Sequence, residues 1–312
     1  MPSPALPRRR AAVIAGGVAV VLLVVAVLAA RAFRATEAGA SFIEQYPGAY
    51  ATPEGTPDGF PAWLRWTHFL SAFFLLFIVS SGLHLRRRQR PPAFVTRRRE
   101  GFLAATNPTR LGLHSWWHLV LDTLWVLTGL IYVVLLVASG HWARIVPTDL
   151  AVIPNAISGA IQYLSLSVPR GDSWFQYGSL QQLAYFATVF VASPLALVTG
   201  LRLSPVWPDR WMRARGPLSD TAARRTHSLL LWYFLAFTLV HVSLVLLTGA
   251  RSNLNAMYVG IDDASSWVGV GVFALSTGVM AAAWVLLRPP AQIAIAERVA
   301  DVRVMPAAPK RG

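Results

Sequence analysis

The sequence predicts an all-α fold, an integral membrane helix bundle of six transmembrane helices in which four form a core and one extra helix lies at each end. Three observations predict it. Apolar residues fill 55% of the 312 positions and mean hydropathy is +0.49, too apolar for an ordinary soluble domain. They are gathered into runs of about twenty residues, the length that crosses a hydrocarbon core about 30 Å thick. Lys and Arg fall in the short segments between the runs. With a cytoplasmic N-terminus, the inward segments carry 22 of these residues against 6 in the outward ones. That asymmetry puts both termini in the cytoplasm and supports an even number of spans.

The elements follow in order. Arg8, Arg9 and Arg10 precede an apolar run from Ala11 to Ala30, which reads as an uncleaved first helix. A signal peptide ending at Ala29 and Ala30 is the rival reading, and it would leave five spans in the same orientation. Arg31 to Pro61 is polar and rich in Gly, Pro and Glu, and reads as a loop. The second span is Ala62 to Leu85, followed by a densely basic segment up to Arg110; the third is Leu113 to Ser139. Residues 143–178 are broken by Pro154 and Gly159, too interrupted to span, and suit the interface. The fourth span, Leu180 to Leu201, contains Pro194 as a kink site. A basic loop leads to the fifth span, Arg224 to Gly249, and the sixth is Trp267 to Leu287. The tail after Pro290 is too short to read as a domain.

Composition also excludes. With no cysteine, the chain has no disulfide framework, no thiolate-held cluster and no covalent c-type haem attachment. A net charge of +14 would suit nucleic acid, but the basic clusters lack interleaved aromatics and a binding module, so nucleic acid is not an expected partner. The expected surroundings are the lipid bilayer.

The histidines carry the chemistry. His227 and His241 are fourteen residues apart on one span, a rise of about 21 Å and about 40° from a whole number of turns. They share a face, one near each membrane surface. His68 matches the depth of His241, and His118 matches that of His227. Two histidines at one depth on different helices are what a six-coordinate haem b needs, so the expected pairs are His68 with His241 and His118 with His227. His114, one turn before His118, is the alternative inner ligand. His84, level with the same site, is a further candidate for a ligand, a propionate contact or a quinone contact. His141 lies at the outer boundary and reads as interfacial. Asp122, the acid inside the third span, reads equally as a satisfied polar group or as a proton-relay or orienting residue. Arg65, Arg110 and Arg225 flank the histidines; each alone reads as a span anchor, with haem propionates as the functional alternative. Zinc is disfavoured, because the histidines do not converge four to a point. A haem-free transporter or structural anchor is the competing class, and the related halves of a transporter are not evident.

With these residues in view, the chain resembles the bacterial cytochrome b561-like family, the membrane cytochrome b subunits of formate dehydrogenases, nickel-iron hydrogenases and thiosulfate reductases. ArgTrpThrHisPhe at 65 to 69 with SerGlyLeu at 81 to 83 is similar to the family's first core helix, and His118 matches its second-helix ligand. TyrGlySerLeuGlnGln at 177 to 182 with ThrGlyLeu at 199 to 201 is similar to the third. Arg225 to His241 resembles the fourth, whose two histidines serve two haems, and residues 251 to 260 are like the segment after it. HisPhe replaces the family's HW and GlnGln its QK, so the role of that lysine does not carry over. The formate dehydrogenase anchors begin their first core helix in the cytoplasm, whereas the charge count starts this one outside. The resemblance implies a di-haem core over 61–260, preceded by an N-terminal helix and external loop (1–60) and followed by a C-terminal helix and cytoplasmic tail (261–312). It implies electron transfer between the quinone pool and a catalytic oxidoreductase subunit, in some complexes with an iron-sulfur subunit. No substrate chemistry beyond quinone oxidation or reduction is expected of the chain itself.

Overall fold

The structure, a computed structural model, describes residues 8–87, 90–100, 109–169, 173–205 and 219–306. It is an all-α membrane helix bundle. Among the described residues, six helices are long and apolar enough to cross a membrane: Val13–Arg34, Ala62–Arg86, Leu113–Ala138, Ser179–Leu203, Asp220–Leu247 and Val268–Leu286. Each falls within a few residues of an expected span. The basic loop over 206–218, and 88–89 with 101–108 of the earlier basic segment, lie outside the described residues.

The chain forms two compact units, one of residues 1–58 with 140–190 and the other of 59–139 with 191–312. In the first, α1 (Arg8–Arg34) exposes Val13, Val20, Leu22 and Val25 around its circumference. A helix apolar on all sides has no stripe reserved for a protein neighbour, which suits lipid contact. The segment expected to be loop contains a short helix, α2 (Glu37–Gln45), whose N-cap Thr36 accepts a hydrogen bond from the Gly39 amide. A single polar cap was enough to start a helix there. A 3-10 turn (His141–Arg144) and α5 (Val152–Leu164) occupy the broken segment. Buried polar groups tie them in: Asn155 accepts from the Gly48 amide at 3.0 Å and Gln162 donates to the Pro47 carbonyl at 3.0 Å. Arg144 donates to the Ser173 and Trp174 carbonyls and lies 4.7 Å from the centre of the Tyr177 ring. Burial pushes the Tyr177 phenol above its ordinary value, and the Arg144 charge opposes the shift.

Helix α6 (Ser179–Leu203) passes from the first unit into the second. It is π-helical over Ala187–Ala192, immediately before Pro194. Proline has no amide hydrogen to donate and crowds the preceding turn, and a widened turn absorbs both effects inside a span.

The second unit holds α3 (Ala62–Arg86), β1 (Ala93–Arg97), β2 (Arg110–Gly112), α4 (Leu113–Ala138) and α7 (Asp220–Leu247). After these come α8 (Ala250–Leu254), a π turn (Asn255–Val259), α9 (Val268–Leu286), α10 (Pro289–Val299) and β3 (Ala300–Val304). Phe77, Trp117 and Leu121 pack α3 on α4. Ala192, Leu230 and Phe234 pack α6 on α7. The tail forms a helix and a strand. β3 pairs antiparallel with β1, which pairs with β2, so that Val95 faces Leu111 on one side and Val302 on the other. Ala93, Val95, Leu113, Ala296 and Ala300 make a small sealed core beneath this sheet.

Asn255 locks the connection into α9. It is fully buried, its amide donates to the carbonyls of Asp263 (2.6 Å) and Ser266 (2.8 Å), and its Oδ1 accepts from the Gly269 amide at 2.7 Å. A Cβ at Gly269 would overlap the backbone of Leu254 and Asn255, so only glycine permits the approach. In the same loop, Asp263 accepts from the Ser265 hydroxyl and amide, which hold its carboxyl below the usual range. Asn255→Ala strands a buried amide and two carbonyls, each costing about 1–3 kcal/mol when unpaired. The expected outcome is a loss of about 2–5 kcal/mol, seen as a lower melting temperature of the purified protein in detergent. An unchanged melting temperature would remove this residue from the account of the fold.

Candidate functional site

Every histidine expected to pair lies in the second unit. The rings of His68 on α3 and His241 on α7 have their centres 6.1 Å apart, and those of His118 on α4 and His227 on α7 are 6.4 Å apart. The fourteen-residue spacing on α7 thus builds two sites with one helix, each completed by a neighbouring helix. His84 and His114 form a third, tighter pair with ring centres 4.7 Å apart.

These distances discriminate among cofactor geometries. An iron held between two imidazoles by bonds of about 2 Å, with each ring centre about 1 Å behind its nitrogen, sets the centres about 6 Å apart. The first two pairs have that spacing. Their ring planes meet at 59° and 76°, which axial ligation leaves free to vary. The His84–His114 pair is too close to admit an iron in this way. Among the described residues no group of three or more His, Cys, Asp or Glu could hold a metal ion.

The inner pair is held by hydroxyls that the sequence reading recorded as motifs without a role. Ser81 Oγ lies 2.8 Å from His118 Nδ1 and donates to the Phe77 carbonyl at 2.9 Å. Thr199 Oγ1 lies 3.0 Å from His227 Nδ1 and donates to the Leu195 carbonyl at 2.6 Å. A hydroxyl has one hydrogen, and in both cases the carbonyl one turn back takes it. In the tautomer that carries its hydrogen on Nδ1, the hydroxyl oxygen accepts it, and Nε2 keeps its lone pair for a metal. The glycines that follow make room. A Cβ at Gly82 would stand 3.4 Å from His118 Cε1, and one at Gly200 would stand 3.4 Å from His227 Cε1. SerGly and ThrGly are thus a positioning device of hydroxyl plus gap, used twice.

Between the sites lies an aromatic contact. Phe234 is seven residues from each of His227 and His241, and Trp125 is seven from His118; the two rings meet edge to face at 6.0 Å. Near the outer pair, Phe237 stacks on His241 with centres 5.5 Å apart and planes 3° from parallel.

The remaining expected residues fall as follows. Asp122 Oδ2 is 3.6 Å from His118 Nε2, beside the inner pair. Arg65 donates to the Val259 carbonyl at 2.7 Å and packs over Gly260, tying α3 to the π turn. Arg225 is exposed, and Arg110 stacks on Phe94 with its guanidinium 3.9 Å from the ring centre. His141 is buried within the 3-10 turn of the first unit.

No family model matches the chain, and no solved structure matches it. The chain is similar to a curated protein of Azospira oryzae named "Putative protein-methionine-sulfoxide reductase subunit YedZ1", with 26% identity over 204 residues, covering 60% of this chain and 89% of that relative.

Proposed function

We propose that this protein is the membrane cytochrome b subunit of an oxidoreductase complex. It holds one haem b between His68 and His241 and another between His118 and His227, and passes electrons between the quinone pool and a catalytic partner subunit. The observation that carries this reading is the spacing of 6.1 and 6.4 Å between the paired rings, which matches an iron with two axial imidazoles. The di-haem core is residues 61–260, with a helix and loop before it and a helix and tail after it.

Bound haem supplies a reversible one-electron couple tuned by its ligands, burial and hydrogen bonds. The chain supplies the rest. Ser81 and Thr199 fix the tautomer of the inner histidines, Gly82 and Gly200 leave the rings room, and the Trp125–Phe234 layer keeps water from bridging the two sites. On the positive-inside count, His227 lies toward the cytoplasm and His241 toward the outside, so electrons traverse the bilayer. The relative's name describes a reductase subunit. A reductase as partner would set the direction of transfer, from quinol toward the catalytic subunit, with the four paired histidines holding the groups that would carry the electrons.

The reading is tested on purified protein expressed with added haem, by a reduced-minus-oxidised spectrum and a pyridine haemochrome assay. Two haems b per chain are expected; one would break the two-site form, and none would sink the reading altogether. His241→Ala is expected to remove one haem, the outer, and leave a centre whose spectrum and potential match those of the inner site.

Ser81→Ala tests the hydroxyl device separately. Outer-shell partners of metal-binding histidines contribute about 10- to 100-fold in affinity, so haem binding at the inner site should weaken by about that factor. The midpoint potential of any inner haem retained should rise, because an imidazole that has lost its Nδ1–H acceptor donates less to the ferric state. Ser81→Thr should restore both. A potential titration in which Ser81→Ala leaves the inner centre unmoved would contradict the assignment.

A further inference from the structure

Helix α5 (Val152–Leu164) has its polarity inside out. Asn155, Ser158 and Gln162 are 3%, 0% and 6% exposed, whereas Ile153, Ile157 and Leu164 stand out of the protein at 53%, 51% and 41%. Positions 153, 157 and 164 fall within about 40° of one another around a helix, and 155, 158 and 162 fall on the opposite side. The inward groups are paired. Besides its contact with Pro47, Gln162 donates to Ser158 Oγ at 3.2 Å, and Ser165 Oγ donates to the Gln162 carbonyl at 2.8 Å. The outward stripe continues past both ends of the helix, with Leu150 82% and Leu166 72% exposed. Leu166 has a φ of 59°, in the left-handed region where a side chain is disfavoured and glycine commonly follows a helix. From Leu150 to Pro169 the chain carries no charged residue.

A helix on a water-facing surface has the reverse arrangement, polar outward and apolar inward. Two contacts within the first unit fix where α5 lies. Arg34, the last residue of α1, donates to Ser165 Oγ at 2.8 Å, so the C-terminal end of α5 sits beside the end of a span. On the buried side, a Cβ at Gly159 would stand 3.6 Å from Leu180 Cβ, in the first turn of α6. These two points on α5 are about 9 Å apart along its axis. The helix therefore runs between the ends of two spans, at the level where they leave the hydrocarbon. Its outward stripe adjoins the all-apolar surface of α1. The polar rim that surrounds the core of a protein interface has no charged residue to build it here.

We propose that the Ile153–Ile157–Leu164 face of α5 rests on lipid acyl chains of the leaflet in which α1 ends, with Leu150 and Leu166 as flanking contacts. α5 is then a membrane-surface helix whose polar side turns toward protein instead of water. Through Asn155 and Gln162 it holds the loop at Pro47 and Gly48 to that surface. The sequence places this segment at the interface only because it is too interrupted to span; the contact face, the inward polar side and the lipid occupant are read from the packing. None of this depends on the haem sites.

The chain has no cysteine, so a single introduced thiol carries a single label. Ile153→Cys, Ile157→Cys and Leu164→Cys, each bearing a nitroxide, are placed in phosphatidylcholine nanodiscs. Spin relaxation is measured with oxygen, which partitions into the acyl region, and with a water-soluble nickel chelate. Oxygen is expected to collide more often than nickel at all three positions, and the order should reverse at Glu54→Cys, in an exposed polar turn of the same unit. On the unmodified protein, a phosphatidylcholine with a diazirine in its acyl chain should label the tryptic peptide that follows Arg144, with the α1 peptide as the positive reference. That readout needs no variant. Nickel ahead of oxygen at the three positions would mean a water-facing surface kept for a soluble partner. Weak collisions with both would mean cover by protein, such as a second copy of this chain. Either result, or labelling of α1 without labelling of the peptide after Arg144, would overturn the proposal.

Discussion

The interaction on which the inner site depends is a serine or threonine hydroxyl that gives its hydrogen to the backbone and keeps its lone pairs for an imidazole. In a hydrocarbon environment every polar group must find a partner within the protein. A hydroxyl on a transmembrane helix meets this demand by donating to the carbonyl one turn back, as Ser81 does to Phe77 and Thr199 to Leu195. Once that hydrogen is committed, the oxygen can only accept. A histidine that faces it with Nδ1–H is then satisfied there and keeps the lone pair of Nε2. The bilayer's penalty on unpaired polar groups, which looks like an obstacle to placing histidines in a membrane, is met here by hydroxyls that contact the ring nitrogens.

Helix geometry does the rest of the placing. Seven residues are nearly two turns, so His227, Phe234 and His241 form a ladder on one face of α7, with an aromatic rung between two histidine rungs. α4 contributes His118 and Trp125 at the same interval, and α3 has His68, Leu75 and Gly82. The shared interval puts like against like. Histidine meets histidine at each end, and aromatic and aliphatic groups meet in the middle, where Leu75, Trp125 and Phe234 pack together.

Much of this was legible in the sequence because hydropathy and helical period are local. The six spans could be bounded to within a few residues, and the depth match of His68 with His241 and His118 with His227 needed only counting along runs. What was not legible is non-local or depends on atoms rather than residue types. The pairing of β1 with β3 joins residues about two hundred positions apart, and nothing in Ala93–Arg97 or Ala300–Val304 announces the other. The π turn ahead of Pro194 could be read as a kink but not as its form. SerGly and ThrGly were visible as recurring motifs, yet their role appears only when a carbonyl and an Nδ1 are both seen within 3.0 Å of one hydroxyl. Arg65, whose position beside the histidines reads as an anchor or a propionate contact, also donates to backbone carbonyls of the π turn, a contact no count along the chain reveals.

The tail shows what non-local pairing adds to the frame. Residues past Pro290 carry no apolar run long enough to span and little that marks a site. Yet β3 adds to the edge of β1, and Ala296 and Ala300 seal against Val95 and Leu113. That sheet fixes both ends of a frame, since β2 leads directly into α4 and β3 directly follows α10.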